Sequence, residues 1–308
     1  MLAKIDDQNK NAIDGLSLIA QSVINGARVE ADRIIEETRE AVKEAIKPKV
    51  IEFKLGDFTK IFHTKTSCPS KALPRLITNA KLGLNSLLIG PAGSGKTMAA
   101  HQLAETLNVP FGHLCFTAGA SETWLFGRQT PAGFVNGIFA HLYENGGVFL
   151  ADEMDAADPN LLLSINTALS SSVFMNPISG KEISRHADFT FVGACNTHGK
   201  GGDHIYTGRN RLDAATLDRF VCLFIDYDRD IEALVCADQR LLDCLRSTRD
   251  ELKESKLEEV ISTRCIANSY LQIQAGISPK DVFDGVSRSW TEEARKILMK
   301  KAKGVKLI

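Results

Sequence analysis

The segment Gly90-Pro-Ala-Gly-Ser-Gly-Lys96-Thr97 is the most specific motif in this chain. It lies between an apolar segment, residues 84–89, and a helical pattern, residues 97–107, as a phosphate-binding loop requires. Glycines let the backbone aim its N–H groups at phosphate oxygens, and the helix start adds a positive dipole end. The lysine then reaches the β- and γ-phosphates, and the threonine hydroxyl binds Mg2+. The predicted nucleotide site consists of Gly90, Pro91, Ala92, Gly93, Ser94, Gly95, Lys96, Thr97 and Met98.

Apolar segments recur on both sides of this loop. The strand candidates are residues 84–89, 111–116, 147–151, 189–194 and 220–225. Helical stretches such as 97–107 and 159–170 separate most of them, and this alternation predicts an α/β fold with a parallel sheet covered on both faces. After about Asp228 the strand signals stop. We therefore predict a nucleotide-binding core over 51–228 and a helical domain over 229–308.

Acidic and amide side chains follow two of the predicted strands. Asp152 at the end of one strand is suited to holding Mg2+, and Glu153 to polarising an attacking water. Asn196 ends the next strand along the chain and would orient that water if the two strands are neighbours. An asparagine that simply caps a strand end is the alternative for this position.

Two arginines are candidates for contact with the γ-phosphate. Arg219 stands just before the last predicted strand, and Arg264 stands at a predicted helix start. An isolated arginine is by default an ordinary surface residue. An arginine aimed at a γ-phosphate instead stabilises transition-state charge and is worth orders of magnitude in rate.

Residues 1–50 form a predicted helical N-terminal arm. Apolar residues recur at helical spacing from about Asn11 to Ile46, and Pro48 ends the pattern. The spacing is not a strict heptad, so two interpretations stay open. The arm is either a coiled-coil or partner-binding element, or a helix packed on the core of its own chain.

Composition and charge narrow the class of protein. The 308 residues are 44% hydrophobic and 24% charged, as in globular proteins, and the net charge of -1 gives no global attraction to nucleic acid or membranes. The seven cysteines form no Cys-x-x-Cys pair, which disfavours a disulfide framework or zinc site. No apolar run would span a bilayer, and the N-terminus lacks a signal-peptide pattern. These features predict a cytoplasmic protein.

The order of these motifs resembles that of the AAA+ ATPases over roughly residues 55–280. Within that superfamily it is most similar to the MoxR and dynein-related branch, and closest in look to the ATPases of the cobaltochelatase small-subunit type. Three stretches carry the finer match: Glu122–Arg128 with Gly133–Gly137 after it, Asp152–Pro159 followed by a hairpin around Met175–Ser184, and Gly208–Phe220.

The resemblance implies a fold, roles and partners. The fold is the three-layer α/β/α core of P-loop NTPases with a five-stranded parallel sheet and a helical lid. Lys96, Glu153, Asn196, Arg219 and Arg264 would be the catalytic residues, with Thr97 and Asp152 binding Mg2+. Asn196 would be the first sensor, Arg219 an arginine finger that reaches a neighbouring subunit's ATP, and Arg264 the second sensor. The resemblance also implies a homo-oligomeric ring, usually a hexamer, acting on a protein that often carries a von Willebrand A domain.

The sequence is compatible with three functions. The first is an ATP-driven motor that remodels or loads a partner protein. The second is a nucleotide-switched assembly or scaffold protein with slow hydrolysis. The third is a DNA translocase with Lys181, Arg185 and His186 in a ring pore, which the neutral charge disfavours. No Asn-Lys-x-Asp motif follows the relevant strand, which argues against a GTPase.

Overall fold

A computed structural model describes residues 33, 50–55, 58–64, 68–117, 119–197 and 209–308. The chain divides into two compact units, of which the second comprises residues 49–64 and 68–308. The predicted N-terminal arm lies outside the described residues, apart from Arg33, which is helical. In the described part of the chain, no helix combines the length and the apolar character needed to cross a bilayer.

The described strands and helices alternate through the core, and helices follow. The strands are β1 (Val50–Leu55), β2 (Phe58–His63), β3 (Asn85–Ile89), β4 (Phe111–Cys115), β5 (Arg128–Thr130), β6 (Gly133–Val135), β7 (Gly147–Asp152), β8 (Val173–Met175), β9 (Glu182–Ser184), β10 (Phe189–Cys195) and β11 (Phe220–Phe224). The helices are α1 (Leu73–Lys81), α2 (Lys96–Leu107), α3 (Glu122–Phe126), α4 (Ile138–Asn145), α5 (Pro159–Leu169), α6 (Ala214–Leu217), α7 (Arg229–Val235), α8 (Gln239–Glu254), α9 (Thr263–Gln274), α10 (Pro279–Val286) and α11 (Glu292–Gly304).

Among the described residues, five strands form one parallel sheet in the order β11-β3-β10-β7-β4. This confirms the predicted five-stranded α/β core. Neighbours in this sheet are not consecutive in sequence, so helical crossovers connect them and cover its faces. All five carboxyl ends lie at one edge, where open α/β sheets bind their ligands.

Alternate side chains of each strand face different hydrophobic clusters. On β7, Val148 and Leu150 join the cluster with helices α1 and α2, whereas Phe149 and Ala151 join the cluster with α4 and α5. This period of two follows from the pleat of a strand, and near-continuous apolar runs follow from burial of both faces. The two clusters hold the sheet rigidly beneath the loops at its carboxyl edge.

Phe139 on α4 is the centre of an aromatic cluster. It is fully buried and lies within 6.3 Å, between ring centroids, of six other rings. Those rings belong to Phe126, Tyr143, Phe149, Phe174, Phe189 and Phe191. Contacts of this kind are worth more than the area they bury.

Replacing Phe139 with alanine is expected to lower the free energy of unfolding by about 3–5 kcal/mol, because a cavity remains among rings that cannot collapse. Denaturant unfolding measures this change. Phe224→Ala is the matched control: its side chain is 69% exposed, so we expect a loss below about 1 kcal/mol. Equal losses for the two variants would contradict the assignment of Phe139 to the centre of the core.

Within the residues that the structure describes, three antiparallel strand pairs accompany the parallel sheet. The predicted hairpin near 175–184 is present as β8 and β9, and β5 pairs with β6 just after α3. The antiparallel pair β1 and β2 precedes the sheet and was not predicted. Arg185 beside β9 points at the sheet: its guanidinium lies over the Phe189 ring at 5.2 Å and donates to Asn85 Oδ1 at 3.3 Å.

Helices follow the sheet, as predicted, and α8 to α11 form a separate hydrophobic cluster. Two arginines of α8 pair with a carboxylate of α7: Glu232 is fully buried and accepts from Arg246 Nε at 2.8 Å and from Arg249. Thr263 Oγ1, at the start of α9, also donates to Glu232 at 3.4 Å. A buried carboxylate with several donors fixes these helices relative to one another.

Candidate active site

The phosphate loop connects β3 to α2 at the carboxyl edge of the sheet. Gly90 leaves no room for a side chain, because a Cβ there would lie 1.9 Å from the carbonyl oxygen of Ile225. Gly93 has φ +71°, and a Cβ there would meet Ser262 of the helical region at 2.7 Å. These two glycines therefore let the loop pass close to the carbonyl of Ile225 and to Ser262.

Lys96 is buried beneath the loop. Its ammonium donates to the carbonyls of Gly90 at 2.7 Å and Pro91 at 3.0 Å, and to Asn196 Oδ1 at 2.8 Å. Burial lowers the pKa of Lys96 below its usual range, and the nearby Asp152 and Glu153 carboxylates oppose that shift. Three protein oxygens thus hold the ammonium at the mouth of the phosphate loop. The phosphates of a nucleotide would compete with these oxygens for the ammonium.

Thr97 and Asp152 come together across the site. The Thr97 hydroxyl donates to Asp152 Oδ2 at 2.8 Å, and His113 Nε2 lies 3.4 Å from the same oxygen. A hydroxyl and one carboxylate beside a phosphate loop fit Mg2+, which is usually bound through one or two carboxylates plus substrate phosphates. The described residues contain no cluster of three or more His, Cys, Asp or Glu side chains able to hold a metal without substrate.

Glu153 and Asn196 meet because β7 and β10 are neighbours in the sheet. The Asn196 amide donates to both Glu153 carboxylate oxygens, at 3.0 and 2.8 Å. Glu153 has φ 56°, a left-handed conformation that residues other than glycine adopt uncommonly. That turn directs its carboxylate away from the strand axis and toward Asn196, on the same side as Lys96.

These residues line an open cleft of about 770 Å3 between the sheet edge and the helical region. From the helical side, Thr263, Arg264 and Ala267 of α9 and Val235 of α7 line it. Ser262 caps α9 by accepting from the backbone N–H of Cys265 at 3.1 Å. Arg264 is exposed and shares the cleft with the phosphate loop, and its role as a second sensor stays a prediction.

Arg219 does not share this cleft. It precedes β11 and therefore lies at the amino edge of the sheet, opposite the phosphate loop. Its guanidinium donates to Ser170 Oγ at 2.8 Å and to the carbonyl of Ala215. The structure thus brings together Lys96, Thr97, Asp152, Glu153, Asn196 and Arg264, and leaves Arg219 apart. The chemical roles of these residues stay predictions.

Sequence reasoning missed two side chains at the site. Arg209 pairs with the Glu153 carboxylate and lies 3.3 Å from Asp155 Oδ1. The Tyr227 hydroxyl donates to the carbonyl of Ala92 in the phosphate loop at 2.9 Å, and Arg249 stacks on the Tyr227 ring at 4.3 Å. Arg209 lies in the Gly208–Phe220 stretch that carries the resemblance, but no local pattern gives either residue a role, because their partners lie far away in sequence.

Residues 85–220 match the model described as AAA domain (dynein-related subfamily), from strand β3 to the start of β11. The match covers less than half of the chain, and this part of the chain is similar to an AAA domain. The similarity supports nucleotide binding and bears out the AAA+ and dynein-related part of the resemblance. No curated protein matches the chain.

Two solved structures are similar to this chain at low sequence identity. One is the crystal structure of a "putative ATPase" from Cytophaga hutchinsonii, with 16% identity, a TM-score of 0.41, and coverage of 74% of this chain and 87% of that one. The other is the crystal structure of NtrX from Brucella abortus, with 18% identity and a TM-score of 0.42. That alignment covers 77% of this chain and spans about half, 51%, of NtrX.

Proposed function

We propose that this chain is a Mg2+-dependent ATPase that works as a ring, in the manner of MoxR-like AAA+ proteins. The observation that carries the proposal is the convergence of Lys96, Thr97, Asp152, Glu153 and Asn196 on one cleft. Phosphoryl transfer needs charge neutralisation, a metal site and a group that activates water. This cleft offers side chains suited to each.

Each side chain has a task in the proposed reaction. Lys96 neutralises the β- and γ-phosphates, and Thr97 and Asp152 would hold Mg2+, which supplies further charge stabilisation when bound. Glu153 accepts a proton from the attacking water, and Asn196 holds both that carboxylate and the Lys96 ammonium in place. Arg264 approaches the phosphates from the helical lid.

We further propose a hexameric ring that remodels or loads a protein partner in the cytoplasm. The position of Arg219 outside its own cleft supports this, since a second subunit would be needed to bring it to a nucleotide. A partner with a von Willebrand A domain is the first candidate to test. Of the three basic residues predicted to line a pore, Arg185 packs on the Phe189 ring, and only Lys181 and His186 are exposed. So small a positive surface does not favour the DNA-translocase alternative.

Lys96→Ala is expected to abolish ATP binding and phosphate release, because the buried ammonium at the loop is lost. Fluorescent nucleotide titration and a phosphate-release assay with and without Mg2+ measure the two effects. Lys280→Ala, an exposed lysine on α10, is the matched control and should behave as wild type. Unchanged affinity and turnover in the Lys96 variant would refute the proposed site.

A further inference from the structure

Arg209 contacts the carboxylate that the proposed ATPase reaction needs as a base. Its guanidinium pairs with Glu153 Oε2, and the Arg209 side chain is 17% exposed. Together with the Asn196 amide at 3.0 and 2.8 Å, this pair leaves both Glu153 oxygens engaged by protein donors. None of the roles implied for the site accounts for this second cation beside Glu153.

The position of Arg209 is fixed from behind by Asp155. Asp155 is fully buried, and its Oδ2 accepts from the backbone N–H of Thr197 at 3.0 Å and from the Thr197 hydroxyl at 2.7 Å. Its Oδ1 faces Arg209 at 3.3 Å, and its carbonyl accepts from the Asn210 N–H at 2.6 Å. The Asn210 amide also donates to the carbonyl of Ala157 at 2.9 Å.

These contacts attach the segment at Arg209 and Asn210 to the turn that directly follows Glu153. The arginine therefore lies between two carboxylates, one buried and structural, the other facing the cleft. Hydrogen bonds between two charged groups are short and about twice as strong as neutral ones, so this pair restrains the orientation of the Glu153 carboxylate. Both oxygens of a Glu153 held this way are engaged by protein donors, so the pair with Arg209 must open before the carboxylate can accept a proton freely from water.

We propose that Arg209 is a positioning residue that holds Glu153 in a resting orientation and limits basal ATP turnover. This inference rests on the proposed ATPase function. Release of Glu153 requires the segment at Arg209 to move relative to Asp155. The same segment continues through α6 to Arg219, so a subunit that engages Arg219 has a short covalent path to the residue restraining Glu153.

Arg209→Gln is expected to raise the kcat of steady-state ATP hydrolysis about five-fold, as expected for loss of a modest ion pair, with the KM for ATP unchanged. Arg209→Lys keeps the charge and should return kcat toward the wild-type value. Arg211→Gln changes an exposed arginine two positions away and is the matched control. A purely structural role would lower kcat or raise KM instead.

Arg209→Gln leaves the buried Asp155 carboxylate without its cationic partner, which could destabilise the fold. A second variant controls for this effect. The double variant Arg209→Gln with Asp155→Asn removes both charges and keeps an acceptor for Thr197, and the same rise in kcat is expected. Thermal unfolding of each variant monitors folding. A kcat at or below wild type in both, or failure of both to fold, would overturn the proposal. A wild-type chain without any turnover would instead refute the ATPase function itself.

Discussion

Glu153→Gln is expected to lower ATP turnover by about 100- to 10,000-fold while nucleotide binding persists, because a positioned general base contributes a factor of that size. Glutamine keeps the shape of the side chain and can still accept from the Asn196 amide. It cannot take a proton from water. Lys96, Thr97 and Asp152 remain, so ATP and Mg2+ should bind as before. Phosphate release and nucleotide titration on the same preparation measure both quantities.

Glu258→Gln, at an exposed position of the helical region, controls for loss of one negative charge. Turnover at the wild-type rate in the Glu153 variant would exclude that carboxylate as the base. Oligomeric state adds a further comparison. A chain that assembles on binding ATP, with turnover near zero even in the wild type, would favour the nucleotide-switched scaffold over the motor.

The sheet and the centre of the site were predictable because their signals are local. The five strands of the sheet begin and end within about one residue of the predicted ranges. The signal is clearest for β7 and β10, which are buried along almost their whole length and are largely apolar. The contact between Asn196 and Glu153 was predicted on the condition that their strands are neighbours. The parallel pairing of β10 with β7 meets that condition.

Two other features were missed for different reasons. The β1 and β2 hairpin has a partial sequence signal, because Ile51, Phe53 and Leu55 alternate with charged residues ahead of Gly56-Asp57, as in a strand followed by a turn. No local signal gives Arg209 its role. Its partners Glu153 and Asp155 precede it by more than fifty residues, and they meet it only because the chain after β10 returns to the turn after β7.

Arg219→Ala is expected to lower turnover by about 1,000-fold or more, the range of an arginine finger, while nucleotide affinity changes little. The reason is its place in the fold. Arg219 lies at the amino edge of the sheet, with its guanidinium on Ser170 and Ala215, so it cannot serve the cleft of its own subunit. Arg288→Ala, an exposed arginine of the helical region, is the control for loss of a positive charge.

Loss of activity in Arg219→Ala alone would also follow from a disturbed α6, since the arginine contacts Ala215 within that helix. Mixing this variant with Lys96→Ala separates the two explanations. In a ring, an Arg219→Ala subunit keeps an intact cleft, and a Lys96→Ala neighbour supplies the missing arginine. Random assembly of equal amounts gives one-half times one-half, or about a quarter, of interfaces with both groups intact, as head-to-tail contacts require. Recovered turnover in the mixture would establish action between subunits, whereas two inactive variants that stay inactive at every ratio would rule it out.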